Sequence, residues 1–247
     1  PLVDSLPAER GSWQEFPGPF HDEGNEAHIT ASQDGLIWYA SKYRHTGIEV
    51  FDPQKGTWRT RENQDVTHAC YSIQKSHDGS IWAGSIAMLL RSSGQGDERL
   101  YTSKELPLPR VPLSLFEDRS GRMWVLGRIG YVHSVDLRND EWKAYDKLNF
   151  YFETEEGVQW FRFSDREYIV AHDLRTGEWL QYGPEDGLID LTYSLFQSSH
   201  GLIWATGKHG NRAAIAVFNG KEWRQYCHPE FAEWIEPNAI LEAADGT

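Results

Sequence analysis

The chain is poor in cysteine, poor in positive charge, and free of long apolar runs. Its two cysteines, Cys70 and Cys227, are too few for a disulfide framework and show no metal-binding spacing. They fit a reducing or an oxidising compartment equally well. The longest apolar stretch, roughly Ala83 to Leu90, falls well short of the ~20 residues a membrane helix needs, so no membrane span is expected. Lysine and arginine total 24 against 37 aspartates and glutamates, a net charge of −13. Nucleic-acid binders present a basic surface, which sets that partner aside; an acidic balance by itself favours solubility. There is no phosphate-binding glycine loop and no Gly-x-Ser-x-Gly elbow. The ten histidines are scattered. His68-Ala69-Cys70 comes nearest to a ligand pair, and neither residue recurs with a partner at metal-site spacing. No metal, cofactor or catalytic residue is therefore expected. No signal peptide is visible.

Aromatics are abundant at 13%, with eleven tryptophans, and they are periodic. Gly35-Leu36-Ile37-Trp38, Gly79-Ser80-Ile81-Trp82, Gly121-Arg122-Met123-Trp124, Gly157-Val158-Gln159-Trp160 and Gly201-Leu202-Ile203-Trp204 are copies of one pattern. A sixth begins at Asp245-Gly246-Thr247. The glycines recur every 36 to 45 residues, the period of a repeat architecture.

One copy reads as four short strands. His28–Ser32 leads to a turn at Asp34-Gly35, where glycine supplies the positive φ. Ile37–Ser41 returns, Gly47–Phe51 follows a loop, and a second turn at Asp52–Gly56 precedes Thr57–Thr60. The second turn recurs ahead of Trp142, Trp179 and Trp223. The position six before each glycine is Ile29, Ile73, Leu115, Tyr151, Leu195 or Ile240. Four-stranded antiparallel units of this length, each too short to be stable alone, predict an all-β propeller. The expected full blades are 24–61, 66–103, 109–146, 147–183 and 190–227. Residues 1–20 read as the last two strands of a blade and 236–247 as the first strand of another. That is a partial ring of five full and two partial blades, expected to be a piece of a longer polypeptide. Trp38, Trp82, Trp124, Trp160 and Trp204 are expected to be structural, filling the space between blades.

The unit resembles the two-component regulator propeller repeat. Tyr71-Ser72-Ile73-Gln74-Lys75-Ser76-His77-Asp78-Gly79-Ser80-Ile81-Trp82-Ala83-Gly84-Ser85 carries the likeness, as does Asp186-Gly187-Leu188 leading into Tyr193-Ser194-Leu195 and Gly201–Gly207. The fourth copy departs: Gln159 stands before its Trp, and Phe161-Arg162-Phe163 replaces the small residues after it. The second lacks the late Trp and has Ser92-Ser93-Gly94-Gln95-Gly96 instead. The resemblance implies a ligand-sensing, extracytoplasmic (periplasmic) module of a bacterial signalling protein, in a ring of seven or more blades. It also implies an attached output domain, a histidine kinase or similar. The chain itself would not be an enzyme.

Alternation of strand direction puts the short first-to-second and third-to-fourth turns at one end of the blades. The variable second-to-third loops and blade connections fall at the other, where binding tends to reside. There, the residues four after the repeated Trp include Lys42, Arg128 and Lys208, a basic set in an acidic chain that suits a carboxylate, a sulfate or an acidic sugar. Tyr43, Tyr131 and His209 are neighbours suited to stacking on a sugar ring or other planar ligand. His68, Arg110 and Asp190 enter their first strands near the central channel. The expected partner is a small molecule or an oligosaccharide. Two other readings stay open: a protein-interaction scaffold, and a propeller lyase or hydrolase assembled across blades.

Overall fold

A computed structural model describes residues 27–41, 48–60, 70–85, 88–93, 98–102, 114–127, 131–165, 167–227 and 242–243. The expected partial blades, 1–20 and 236–247, lie outside these residues except for 242–243.

Five four-stranded antiparallel sheets follow one another along the chain, each with its strands in sequence order. Blade one comprises β1 (Ala27–Ala31), β2 (Ile37–Ser41), β3 (Ile48–Asp52) and β4 (Thr57–Thr60). Blade two comprises β5 (Cys70–Lys75), β6 (Ile81–Ser85), β7 (Met88–Ser92) and β8 (Glu98–Thr102). Blade three comprises β9 (Ser114–Glu117), β10 (Arg122–Leu126), β11 (Tyr131–Asp136) and β12 (Glu141–Asp146). Blade four comprises β13 (Leu148–Glu153), β14 (Val158–Phe163), β15 (Ile169–Asp173) and β16 (Trp179–Tyr182). Blade five comprises β17 (Leu191–Gln197), β18 (Ile203–His209), β19 (Arg212–Phe218) and β20 (Trp223–Tyr226). First strands of adjoining blades lie together: β1 on β5, β5 on β9, and Phe116 of β9 stacks on Phe150 of β13 at 4.0 Å. The inner edge of every blade is thus its first strand. This is a β-propeller.

The repeated glycine closes the first hairpin of each blade. Its N–H donates to the carbonyl three residues back, as from Gly79 to Ser76 at 2.9 Å. All five copies sit at φ between 78° and 86°, a region costly for any residue with a Cβ.

The blades are joined by aromatic triads. The repeated Trp on a second strand stacks on a Tyr from the fourth strand of the same blade, and the late Trp of the next blade closes on that Tyr. Between blades two and three these are Trp82, Tyr101 and Trp142, at 5.8 and 5.2 Å. Between three and four they are Trp124, Tyr145 and Trp179, at 5.2 and 5.5 Å. Between four and five they are Trp160, Tyr182 and Trp223, both at 6.1 Å. Trp38, Trp82, Trp124 and Trp160 are buried; Trp204, on the last described blade, is only partly so. Its companion Tyr226 is 54% exposed, and Ile29, at the opposite end of the array, is 67% exposed. No described blade covers either outer side.

Among the described residues, the seam between blades one and two shows no such triad. Glu98 stands opposite Ser92, where the other blades place their late Trp. That seam is filled by aliphatic residues around Trp38, Ile73 and Leu90. Cys70 lies among them, its thiol pushed up to about 12 by burial, so it is inert as a nucleophile. Cys227 is exposed, and both are free thiols.

Sequence departure becomes structure in blade four. Gln159 is fully buried. Its amide donates to Asp118 Oδ2 across the seam at 3.2 Å and to Glu153 Oε2 at 3.3 Å. Its carbonyl meets His172 Nδ1 at 3.0 Å. Asp118 also accepts the Trp124 indole N–H at 2.6 Å, and the backbone N–H groups of Ser120 and Arg122. Two buried donors and a buried carboxylate thus satisfy one another, as burial requires.

Burial holds His172 below its ordinary pKa, against the pull of Asp118 and Asp173 and with the help of Arg122 and Lys143. Burial lowers His133 in the same way, opposed by Asp146. Between the folded and unfolded pKa values the unfolded chain binds more protons, so stability is full at neutral pH and falls as pH drops through the ordinary histidine range. We expect the melting temperature to decline from about pH 7 to about pH 5, and the decline to shrink in His172→Gln. Burial raises Glu153; that group acts in the opposite sense, nearer the ordinary glutamate range of about 4.3. Thermal melts across this range test the point, and a flat profile would refute it.

Candidate functional site

The variable-loop end of blades four and five brings together a group of polar and aromatic side chains among the described residues. It arises from distortions of the two inner strands. β13 is bulged at Tyr151 and β17 at Tyr193, each with one residue unpaired in the register to the second strand. β5 is bulged at Tyr71 in the same manner. All three bulged residues are tyrosines, and all three are partly exposed. A bulge re-aims a side chain that the regular pleat would fix.

The tyrosines of blades four and five are tied together. Tyr151 OH donates to the Tyr193 carbonyl at 3.0 Å. Each ring carries a cation: Arg162 lies 5.7 Å from the Tyr151 centroid and Lys208 5.7 Å from that of Tyr193, within reach of the ring quadrupole. Arg162 Nη1 donates to the Thr192 carbonyl at 3.4 Å. Register places Lys208 opposite Leu191, next to Asp190. Asp190 Oδ1 meets His209 Nδ1 at 3.0 Å, and its Oδ2 accepts the Gly210 N–H at 2.6 Å. The result is two aromatic faces, two cations and a His–carboxylate pair along one inner wall.

Of the residues expected at this end, Asp190, Lys208 and His209 are therefore brought together. Lys42, Tyr43, His68, Arg110 and Arg128 lie outside the described residues. Sequence reading passed over Tyr151, Arg162 and Tyr193. The departure of Phe161-Arg162-Phe163 from the repeat was the available signal for Arg162. The bulge does break the alternation, as in β17, where the buried Thr192 and Leu195 are three residues apart instead of two, but that break shows only once the strand pairing is known. Among the described residues, no group of three or more His, Cys, Asp or Glu side chains is placed to hold a metal ion.

The fold and this wall define a propeller with a polar, aromatic-lined inner face. No protein-family model matches the chain, and no curated protein does. Solved structures do. A streptogramin B lyase matches with a TM-score of 0.53 at 20% identity, over 92% of this chain and 74% of its own. Virginiamycin B lyase from Staphylococcus aureus gives 0.50 at 18%, over 85% and 70%. The extracellular domain of a protein described as a hybrid two component system from B. thetaiotaomicron gives 0.56 at 15%, over 88% of this chain and 31% of that one. At such identities the likeness establishes the propeller fold. This chain spans about a third of the B. thetaiotaomicron domain.

Proposed function

We propose that the chain is a non-catalytic ligand-sensing module of an extracytoplasmic bacterial signalling protein. It binds a small ligand, glycan-derived, at the variable-loop end and passes the signal to an attached output domain, a histidine kinase or similar. The observation that carries this reading is the pair of tyrosine–cation contacts on the bulged inner strands. Flat aromatic faces suit the apolar face of a sugar ring, while Arg162 and Lys208 suit a carboxylate or sulfate on it. The repeat resemblance and the likeness to extracellular domains of two component systems support the role. Transmission requires the ligand to favour one arrangement of the blades over another; a ligand bridging Tyr151 and Tyr193 acts on the contact between blades four and five.

Calorimetric titration with a panel of neutral and acidic oligosaccharides tests the reading. The double variant Arg162→Ala/Lys208→Ala is expected to weaken an acidic ligand by about 10- to 100-fold, the loss of one or two charge-assisted bonds, with the fold intact. Unchanged affinity for every bound sugar, or none bound by the native chain, would reject it.

A second reading rests on the 3.0 Å contact of His209 with Asp190, a geometry that orients an imidazole as a general base. On that reading the chain is a lyase, as two of the structures it resembles are. Turnover of streptogramin B that disappears in His209→Ala would establish it.

A further inference from the structure

The seam between blades four and five contains a second cleft, at the opposite end from the tyrosine wall. It measures about 310 Å³ and is lined by Val158, Trp160, Tyr182, Ile203 and Phe218, with Thr154, Glu156 and Gln197 among its polar residues. Its walls are apolar and largely aromatic. Asp173 and Arg175, which also line it, neutralise each other at 2.8 Å.

The Trp160 indole N–H sets this cleft apart. Trp160 is 3% exposed, and among the described residues its Nε1 has no hydrogen-bond partner. Its counterparts in the two preceding blades are satisfied from the short-turn end. Trp82 Nε1 donates to Ser80 Oγ at 3.1 Å, and Trp124 Nε1 to Asp118 Oδ2 at 2.6 Å. The positions equivalent to Ser80 and Asp118 in blade four are Val158 and Thr154, and both line the cleft. The repeat thus turns the Trp160 N–H toward Val158 and Thr154, two of the residues that wall the cleft. Val158 offers it no acceptor, and the Thr154 hydroxyl is engaged as acceptor by the Val158 N–H at 3.2 Å. A buried donor left unpaired is costly and calls for an acceptor from elsewhere.

We infer that this cleft is a binding site for a small, uncharged, flat apolar ligand whose hydrogen-bond acceptor, a carbonyl or ring heteroatom, receives the Trp160 indole N–H. The aromatic walls supply the contact area and the single donor fixes orientation, the usual division of labour in small-molecule sites. Charge is not what the site reads: its one cation, Arg175, is paired with Asp173, and the Glu156 carboxylate takes hydrogen bonds from its own backbone N–H, Thr154 and Gln197. The site is independent of the sugar-binding reading and stands or falls without it.

The test follows the tryptophan indole N–H resonances of the ¹⁵N-labelled chain during titration with acetophenone, an aromatic ring bearing a carbonyl acceptor. Trp160→Phe assigns the resonance. Ethylbenzene, of the same shape without the acceptor, is the control. Acetophenone at millimolar concentration is expected to shift the Trp160 resonance and leave that of Trp124, already bonded to Asp118, in place. Val158→Ser supplies an internal acceptor, as Ser80 does for Trp82, and is expected to weaken acetophenone at least about tenfold. Val158→Ala, which makes room without an acceptor, keeps the response. No shift of the Trp160 resonance, an equal response to ethylbenzene, or undiminished binding in a folded Val158→Ser variant would each overturn the inference.

Discussion

Trp124→Ala is expected to destabilise the protein by about 3–5 kcal/mol, the range for emptying a buried aromatic site. Trp124 is fully buried and holds the seam between blades three and four from several sides. It stacks on Tyr145 at 5.2 Å and on Phe116 at 6.0 Å, and meets Phe161 at 5.4 Å. Alanine leaves those rings around a void that sheets pinned by hydrogen bonds cannot close. The melting temperature should fall by roughly 10 °C, at about 2–4 °C per kcal/mol for a chain of this size. Trp124→Phe should cost less than Trp124→Ala: it removes the indole N–H bonded to Asp118 and one of the two fused rings but keeps an aromatic ring in the stack. A Trp124→Ala melt within about 2 °C of the native one would show that the seam does not depend on this triad.

Asp118→Ala carries the second large effect, of about 3–5 kcal/mol, the range for removing one partner of a buried charged network. The side chain is 1% exposed and accepts from Trp124 and Gln159, and from the turn N–H groups of Ser120 and Arg122. Removing it strands two buried side-chain donors on opposite sides of the seam and opens the turn that ends at Gly121. Asp118→Asn should cost less, because its carbonyl oxygen still accepts some of these bonds. Since Trp124 and Asp118 share one hydrogen bond, the double Ala variant should cost less than the sum of the singles, by about 1–3 kcal/mol. Strict additivity in denaturant melts would show that the bond contributes nothing.

The strands, turns and blade order could be read from the repeat, because each follows from local chemistry. A glycine at positive φ and a Trp three residues after it mark every full copy. The triads were half legible. The repeated Trp stands at a fixed place after the glycine, and each Tyr at a fixed place after the late Trp, as in Trp142/Tyr145, Trp179/Tyr182 and Trp223/Tyr226. What the sequence does not show is the division of labour: the Tyr serves the repeated Trp of its own blade and the late Trp the Tyr of the blade before, which only the fold reveals. Gln159 was visible as a departure from the pattern, yet its partner Asp118 belongs to the preceding copy, and nothing in either copy alone connects them. The tyrosine wall was the least legible, since a bulge is a property of how two strands pair. That Asp190, Lys208 and His209 share one end of the blades was legible, because loops at one end of a propeller can be enumerated from strand direction alone.

Each triad is divided between two blades: one contributes a Trp–Tyr socket, the next a Trp plug. Blades three and four each carry both, a socket on the forward side and a plug on the backward side. Tandem duplication of such a unit copies the two halves together, so the new blade matches its neighbours on both sides from the moment it appears. Blade two has a socket but Glu98 in place of a plug. A gene array growing by unequal exchange could gain or lose blades three and four with the joints preserved, whereas an extra copy of blade two would introduce a second joint without its plug. Blade number is therefore free to change where a repeat is self-complementary and costly to change where it is not.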